Sequence, residues 1–368
     1  MPCASTPNCT VLPEIIAADP DIAGIGIIVS FAISGGLTVL AVTLWLLTDL
    51  FDAASKNELL PDDPEMVHFV ARWVTRLQHS MKAGLKSNWL VWFNCPTRFK
   101  IMRTLESLIL GFSDQQLVIG IALLATAQVK ICDISKYHYE TTLLLATISS
   151  GVHTMTLITL REYLLKNSAV WVFRVLGTIV HSTLTLVMVI KILNSAHDNL
   201  QANARWPLRC FYSSKINKNT SFITPREGYP SGLITFILIV NIIAIVSPSM
   251  LLAETKTKNR PTSEDRAEPF EPMASRYSFA PTLAIRGLSL LVFIFTSISF
   301  ILYISWVFKV RAEMKPYLER SEDDWSFGQI APNLMLIIVL YQALEAFTGM
   351  LIYFDSFLLS VSKVKTTS

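Results

Sequence analysis

Hydrophobic residues occur along this chain in long runs, which shorter segments rich in charge, Pro or Gly separate. A run of about 20 apolar residues is long enough for an α-helix to cross a hydrocarbon core of roughly 30 Å. Seven runs reach that length, near residues 24–50, 105–129, 140–165, 168–193, 230–253, 282–308 and 329–358. The pattern therefore predicts an all-α polytopic membrane protein, a seven-transmembrane-helix bundle that forms a single membrane domain over residues 1–368.

The composition supports a membrane protein. Hydrophobic residues make up 52% of the chain and charged residues 16%, whereas a soluble globular chain carries roughly 25% charged residues. This excess of apolar residues excludes an ordinary soluble enzyme. The net charge is only +3, which gives no reason to expect a nucleic-acid partner.

The basic residues predict the orientation, because cytosolic loops of membrane proteins are enriched in Lys and Arg. The first 55 residues contain neither type, and the segment between the first two runs carries eight: Lys56, Arg72, Arg76, Lys82, Lys86, Arg98, Lys100 and Arg103. This asymmetry predicts a lumenal amino terminus, and seven spans then leave the carboxyl terminus cytosolic. The glycosylation acceptors Asn8 and Asn219 both fall on the predicted lumenal side. The first run is expected to be an uncleaved signal anchor, as in a multi-pass protein of the endoplasmic reticulum or endomembranes.

The cysteines divide in the same way. Cys3, Cys9, Cys132 and Cys210 map to predicted lumenal segments, and Cys95 maps to the cytosolic side. An even number of cysteines in an oxidising compartment permits two disulfides. The sequence leaves open the three possible pairings, and also the alternative of free thiols.

Two segments outside the runs have distinct patterns. Acidic residues and Pro64 predict a helix start at 62–65, and the apolar and basic positions that follow keep helical spacing. Residues 64–100 are therefore expected to form an amphipathic helix on the cytosolic membrane surface, a role favoured over calmodulin binding. Residues 254–281 are rich in charge and Pro, so a mobile cytosolic loop is expected there.

Ionisable residues inside the runs are candidate functional groups, because each costs about 2.5–3.5 kcal/mol to insert. Most fall in the predicted cytosolic half of their spans, which predicts a polar cavity that opens toward that leaflet and suits an apolar ligand. These polar and ionisable positions are Glu106, Asp114, Gln115 and Gln116 in the second run, His153, Arg161 and Glu162 in the third, and Tyr341, Gln342 and Glu345 in the seventh.

Some of these charges have simpler explanations. Asp49, Arg174 and Asp355 are expected to mark span ends and to reach the interface with their side chains. For Asp114 and Glu345, the alternative to a chemical role is a structural hydrogen bond between helices.

No metal or cofactor is expected. His153 and His181 lack the Cys, His or carboxylate spacing of a metal site. The acidic run at 322–324 falls in a predicted lumenal loop and lacks the Asp-rich spacing that binds magnesium diphosphate. The sequence also contains no Gly-x-Ser-x-Gly, phosphate-loop or dinucleotide motif.

Seven spans with an external amino terminus are also the arrangement of many receptors. The third run, however, ends in Leu160-Arg161-Glu162-Tyr163 rather than Asp/Glu-Arg-Tyr, and the seventh run lacks Asn-Pro-x-x-Tyr. A transporter is a further alternative, although no internal repeat supports one. An orphan receptor and a small-molecule transporter are thus the competing functions.

Three parts of the chain resemble a fungal family of seven-span proteins, whose characterised members are similar to the membrane-bound terpene cyclases of the ascofuranone, ascochlorin and macrophorin pathways. The likeness extends over most of the chain, and it is carried by Phe112-Ser-Asp-Gln-Gln-Leu-Val-Ile-Gly-Ile-Ala, by Tyr137-His138 with Ser149-Ser-Gly-Val-His153 and Leu160-Arg-Glu-Tyr-Leu, and by Trp325-Ser-Phe-Gly-Gln329. The resemblance implies metal-independent cyclisation of a farnesylated phenol or quinone in meroterpenoid biosynthesis, begun by protonation of a terminal epoxide or alkene.

The depth of each residue in its predicted span and the chemistry of its side chain, rather than the resemblance, suggest the roles of individual residues. Such a reaction needs a buried acid and a site poor in water. Asp114 is the expected acid or the group that orients it, and Glu345 is the second choice. The other candidates are Glu106, Glu162 and His153 as bases or hydrogen-bond partners, Arg161 as an ion-pair partner of a carboxylate, and Gln115, Gln116, Tyr341 and Gln342 as contacts to a lipophilic prenylated substrate in the bilayer.

Overall fold

The computed structural model of the protein describes residues 13–55, 95–196, 204–211 and 279–366, and most of these are helical. The α-helices are α1 (Pro20–Ala23), α2 (Ile25–Ser55), α3 (Cys95–Val129), α4 (Lys136–Thr159), α5 (Arg161–Lys166), α6 (Ser168–Ala196), α7 (Phe279–Met314) and α8 (Phe327–Thr366). A short 3₁₀ helix covers Leu208–Phe211, and a second, Lys315–Tyr317, directly follows α7.

Six helical segments are long and apolar enough to cross a membrane: Pro20–Thr48, Ile101–Val129, Lys136–Thr159, Ala169–Lys191, Leu290–Tyr317 and Phe327–Glu345. They coincide with six of the predicted spans, so the described part of the chain is compatible with an all-α membrane bundle. The predicted span at 230–253 lies outside the described residues. Most of the predicted interfacial helix at 64–100 and of the predicted loop at 254–281 lies outside them too.

The helices differ from the predicted segments at four boundaries. Residues 95–100 belong to α3 and residues 279–281 belong to α7, because a helix continues through charged or polar positions after its apolar part has ended. The third predicted span, 140–165, in fact begins at Lys136, where the Ser135 hydroxyl accepts the His138 N–H and caps the helix. It also breaks at Leu160, whose backbone angles leave the helical region before α5 begins.

Helix α4 occupies the centre of the bundle. Its residues from Tyr137 to Thr159 are all buried. Helices α2, α3, α6 and α7 pack against α4, and α8 packs against α2 and α3. The outer helices expose large apolar side chains, among them Phe173, Ile298 and Ile337, as expected for surfaces that face lipid.

Small residues bring α2 close to its neighbours. Gly26, Ser30 and Ser34 recur every four positions, a spacing typical of tight helix contacts. The Gly26 N–H donates to Gln329 Oε1 on α8 at 2.8 Å, and a Cβ atom on Gly26 would lie only 2.8 Å from the Cβ of Gln329. On the side of α3, Ser34 Oγ accepts a hydrogen bond from Gln116 Nε2 at 2.7 Å.

Four segments meet at one end of the bundle: residues 13–24, 130–136, 204–211 and 315–326, which we call the end cap. The Ile16 N–H donates to the Tyr317 carbonyl at 2.9 Å, and the Lys136 N–H donates to the Trp206 carbonyl at 2.9 Å. The topology predicted from the sequence assigns these segments to one side of the membrane, and the fold brings them together.

Two of the cysteines lie in the end cap. Cys132 follows α3, Cys210 lies in the first 3₁₀ helix, and both are disulfide-bonded. Cys3 and Cys9 lie outside the described residues. The sequence left open whether Cys132 and Cys210 are free thiols or form disulfides, and in the structure both are disulfide-bonded.

Candidate functional site

An ion pair between Asp114 on α3 and Arg174 on α6 lies within the spanning helices. Arg174 Nη2 donates to the Asp114 carboxylate and also to the Leu110 carbonyl, at 3.2 Å from the latter. Only 4% of the Arg174 side chain is exposed, against 50% of the Asp114 side chain. The prediction that Arg174 reaches the interface was therefore wrong, because its guanidinium turns inward to a carboxylate, the partner that a buried charge requires.

A signal for this orientation exists in the sequence of α6. Arg174, Thr178, His181 and Thr185 follow one another at intervals of four, three and four residues, which places them on a single helix face. All four side chains are buried. The helical spacing of polar residues, which sequence reasoning overlooked here, indicates that this face of α6 points into the bundle.

Two buried histidines lie on the helices beside the ion pair, His153 on α4 and His181 about two helical turns along α6 from Arg174. His153 Nδ1 on α4 is 2.8 Å from Ser113 Oγ on α3, and Ser113 directly precedes Asp114 in the chain. A Cβ atom on Gly120 of α3 would lie 2.9 Å from His181 Nε2, so the glycine is needed for this close approach. We refer to these groups as the mid-bundle cluster: Ser113, Asp114, His153, Arg174 and His181.

Several buried atoms of the mid-bundle cluster have no hydrogen-bond partner within the described part of the chain. They are Nε and Nη1 of Arg174, Nε2 of His153 and Nε2 of His181. Buried polar atoms in native proteins normally have partners. The cluster therefore retains hydrogen-bonding capacity that the described fold does not use.

The two glutamines beside Asp114 connect helices. Gln115 Nε2 donates to the Pro332 carbonyl on α8 at 2.9 Å, and Gln116 Nε2 donates to Ser34 on α2. Both side chains are buried. Their amide nitrogens thus hold the bundle together.

The remaining predicted site residues are not part of the mid-bundle cluster. Glu106 and Arg161 are partly buried, and the side chain of Glu162 is not among those described. Gln342 and Glu345 are exposed on α8, and 65% of Tyr341 is exposed. These three side chains therefore do not point into the bundle, because α8 packs on α2 and α3 through its apolar positions. Asn8 and Asn219 lie outside the described residues.

A second buried cluster, in and beside the end cap, centres on Glu322, which lies between α7 and α8. Its Oε2 accepts from the Tyr137 hydroxyl at 2.9 Å, and its Oε1 lies 2.7 Å from His138 Nε2. The other ring nitrogen of His138 lies 2.7 Å from Ser135 Oγ. Gln329 Nε2 donates to the Glu322 and Asp324 carbonyls. We call Ser135, Tyr137, His138, Glu322 and Gln329 the end-cap cluster.

Arg311 at the end of α7 joins this cluster to the surface. Its Nη2 donates to Asp323 Oδ1 at 2.6 Å, and its Nε lies 4.0 Å from Glu322 Oε2. The hydrogen bond from Arg311 holds the pKa of the Asp323 carboxyl below its usual value. Sequence reasoning gave this acidic run no role, because nothing in a loop sequence shows that one of three neighbouring carboxylates is buried.

A crevice between α2, α4 and α7, lined by residues that include Val39, Gly151 and Tyr303, has room for about one water molecule. This crevice does not provide the predicted polar cavity that opens to one leaflet.

Four of the stretches that carry the family resemblance contribute residues to the two clusters, whereas Leu160-Arg-Glu-Tyr-Leu contributes to neither. Residues 112–122 and 149–153 contribute Ser113, Asp114 and His153 to the mid-bundle cluster, and residues 137–138 and 325–329 contribute to the end-cap cluster. Comparisons of the chain with protein-family models, curated proteins and solved structures give no match.

Proposed function

We propose that the protein is an integral-membrane terpene cyclase that acts on a farnesylated phenol or quinone in fungal meroterpenoid biosynthesis. The observation that carries the proposal is the Asp114–Arg174 pair: a half-exposed carboxylate, midway along a membrane-spanning segment, held by a buried guanidinium. Ionisable groups at such depth mark functional sites by default. The resemblance to the fungal seven-span cyclases supplies the reaction class.

The position of Asp114 suits a substrate that is dissolved in lipid. Val118, four residues later on the same face of α3, is 57% exposed, so this face is open to the surroundings of the bundle. Ligand pockets typically measure 300–1,000 Å³, far more than the crevice beside α4. In this proposal the prenyl chain therefore reaches Asp114 from the bilayer, along the outer face of α3.

In this proposal Asp114 acts in the later steps of the reaction, and its ion pair with Arg174 supports that role. An ionised carboxylate accepts hydrogen bonds and donates none, so the charge of Asp114 stabilises the carbocation and its oxygen takes the proton lost at ring closure. The first proton comes from Glu345, whose exposed carboxyl has no partner among the described residues. One proton enters the substrate and one leaves, so the product is an isomer and no cofactor is consumed.

The proposal includes the seven-span topology, with a lumenal amino terminus, a cytosolic carboxyl terminus and residence in the endoplasmic reticulum or endomembranes. The disulfide-bonded Cys132 and Cys210 in the end cap support this orientation, because disulfides persist in oxidising compartments.

Microsomes that contain the full chain test the reaction directly. They are incubated with a farnesylated phenol and with its terminal epoxide, and the products are analysed by mass spectrometry and NMR. The expected product has the substrate mass and at least one new ring. In heavy water, initiation at an alkene leaves one carbon-bound deuterium, whereas initiation at an epoxide leaves none, because that proton becomes part of a hydroxyl. No isomer from either substrate would overturn the proposal.

Two variants define the site. Asp114→Asn is expected to reduce product formation by about 100-fold or more. Asp323→Asn is the matched control, because it also breaks a carboxylate–arginine hydrogen bond, but at the exposed end cap, and its rate should equal that of the wild type. Uptake into proteoliposomes that depends on Asp114, without cyclised product, would favour a transporter instead.

A further inference from the structure

The side of α4 between α6 and α7 is buried, although these two helices do not enclose it. Every residue of α4 from Tyr137 to Thr159 is buried. Both α6 and α7 pack on α4, but they are not among the helix pairs that pack against each other in the described part of the chain. We infer that residues 230–253 form a membrane-spanning helix that packs on this side of α4. The inference shares its topology with the proposed function but does not depend on the cyclase reaction.

The α4 surface in question carries polar groups. Ala146 belongs to a buried cluster shared with α6, and a Cβ atom on Gly151 would lie 4.0 Å from Thr296 of α7. Because successive residues of a helix are about 100° apart, Ser150 and Thr154 lie between these two contacts. Both are buried. We call Ser150 and Thr154 the α4 polar face, and membrane proteins keep such groups against other helices.

A serine on α6 lies on the same side of the bundle. Gly177 of α6 packs on α3, where its Cβ atom would lie 2.8 Å from Leu117. Ser182, five residues later, points about 140° away around the helix, so it lies on the flank of α6 that borders the α4 polar face. Its Oγ is buried and has no hydrogen-bond partner in the described ranges. Polar groups of two helices thus face the position assigned to residues 230–253.

The two ends of the connecting segment lie on opposite sides of the membrane. The chain leaves the described fold at Phe211, in the end cap. It returns at Phe279, the first residue of α7, whose last residue, Met314, packs in the end cap. The 36 residues of α7 span about 54 Å, more than the roughly 30 Å of a hydrocarbon core. Phe279 is therefore beyond the far side, and residues 212–278 must cross the membrane.

Residues 230–253 are the part of this segment that is suited to cross. They contain no charged residue, whereas the parts before and after them each contain several. Helices α6 and α7 both run toward the end cap, so a single span between them runs away from it, antiparallel to both. Elements that follow one another in the chain usually lie side by side. The α4 polar face lies between the two helices that this span connects.

Asn241 indicates the register of the span. It is the only residue of 230–253 with an amide side chain, and it lies near the middle of the run. At the helical rise, Asn241 is about 17 Å from residue 230, and Thr147 is as far from Lys136 at the end-cap end of α4. Asn241 is therefore expected at the depth of Thr147 and Ser150. A hydrogen bond to the α4 polar face would keep its amide away from lipid.

Cross-linking of cysteine pairs in microsomes tests this position. Ser150→Cys/Asn241→Cys is expected to form a disulfide on oxidation, identified by mass spectrometry of the joined peptides, at about ten times the yield of either control pair. In the first control, Ser150→Cys/Ile243→Cys, the second cysteine lies on the opposite side of the same predicted helix. In the second, Val118→Cys/Asn241→Cys, the first cysteine lies on the exposed outer face of α3.

A neighbouring position guards against a failure to fold. If Ser150→Cys does not fold, Thr154→Cys replaces it, because it lies one turn along the same face. Equal yields from all three pairs, a link to position 118 instead, or no link from position 241 to either 150 or 154 would overturn the inference.

Labelling of sealed microsomes tests the crossing independently. Ser214→Cys and Ser263→Cys place a thiol before and after residues 230–253. A membrane-impermeant maleimide should label only one of them until detergent is added, and mass spectrometry of the peptides distinguishes these thiols from the native cysteines. Labelling of both in sealed microsomes would refute the crossing.

The result separates this inference from the proposed function. A linked 150–241 pair in a protein without cyclase activity would refute the function and leave the inference standing. Cyclase activity without the link would refute the inference alone.

Discussion

The mid-bundle and end-cap clusters contain the same kinds of groups but use them differently. In the end-cap cluster both oxygens of Glu322 and both ring nitrogens of His138 have protein partners, and the Gln329 side chain bonds through its oxygen and its nitrogen. In the mid-bundle cluster Arg174 and the two histidines keep unpaired atoms. A fully bonded buried network specifies a fold, whereas one that leaves donors open is suited to bind or transfer something else.

The largest expected effect is on stability, at the end cap. Glu322→Ala leaves the Tyr137 hydroxyl and His138 Nε2 buried without a partner, so the free energy of unfolding should fall by about 3–5 kcal/mol. An unfolding titration in mixed micelles measures this. Glu319→Ala, at an exposed neighbouring carboxylate, is the control and should behave as the wild type. Equal free energies of unfolding for Glu322→Ala and Glu319→Ala would contradict the structural role of the end-cap cluster.

The ion pair gives the next largest effect. Asp114→Asn leaves the Arg174 charge buried and should cost about 2–3 kcal/mol, somewhat less than a fully buried pair because Asp114 is half exposed. The double variant Asp114→Asn/Arg174→Gln should recover at least half of this loss and still form no cyclised product. If the losses of stability from the two single substitutions simply add in the double variant, Asp114 and Arg174 are not coupled.

Leucine substitutions of two buried histidines compare the clusters directly. His138→Leu removes partners from Glu322 and Ser135, so a loss of about 2–3 kcal/mol is expected. His181→Leu removes a ring nitrogen that has no protein partner, so its stability should change by less than about 1 kcal/mol while product formation falls. Equal losses of stability would mean that the clusters do not differ in kind.

The smallest expected effect is the pH dependence at the end-cap surface. The pKa of Asp323 is lowered from 3.8 by its hydrogen bond from Arg311, so the folded state holds this proton more weakly than the unfolded state does. The stabilisation is present above the unfolded-state pKa and is lost as the pH falls through the lower folded-state pKa. Melting temperatures of the wild type and Asp323→Asn should therefore differ slightly near pH 6 and converge as the pH falls through the lowered folded-state pKa of Asp323. A difference that persists at low pH would contradict this assignment.

The helices were predictable from sequence because a long apolar run needs no knowledge of its partners to be a membrane span. The contacts between the helices were harder to predict from the sequence. Arg174 was predicted to be a span-end charge because its distance from the end of the span was considered, but not which face of the helix it lies on. Glu322 could not be recognised, since the histidine that makes it part of a buried network lies 184 residues earlier in the chain, and only the fold brings the two together.

Gln329 has a consequence for biosynthesis. Its side chain bonds the backbone of Gly26, 303 residues earlier, and the end cap likewise joins Ile16 to Tyr317. A chain that leaves the ribosome amino terminus first cannot form these contacts before its last described helix has been made. Closure of the end cap is thus a completion step: a chain without α8 lacks the Gln329 partner of the Gly26 N–H.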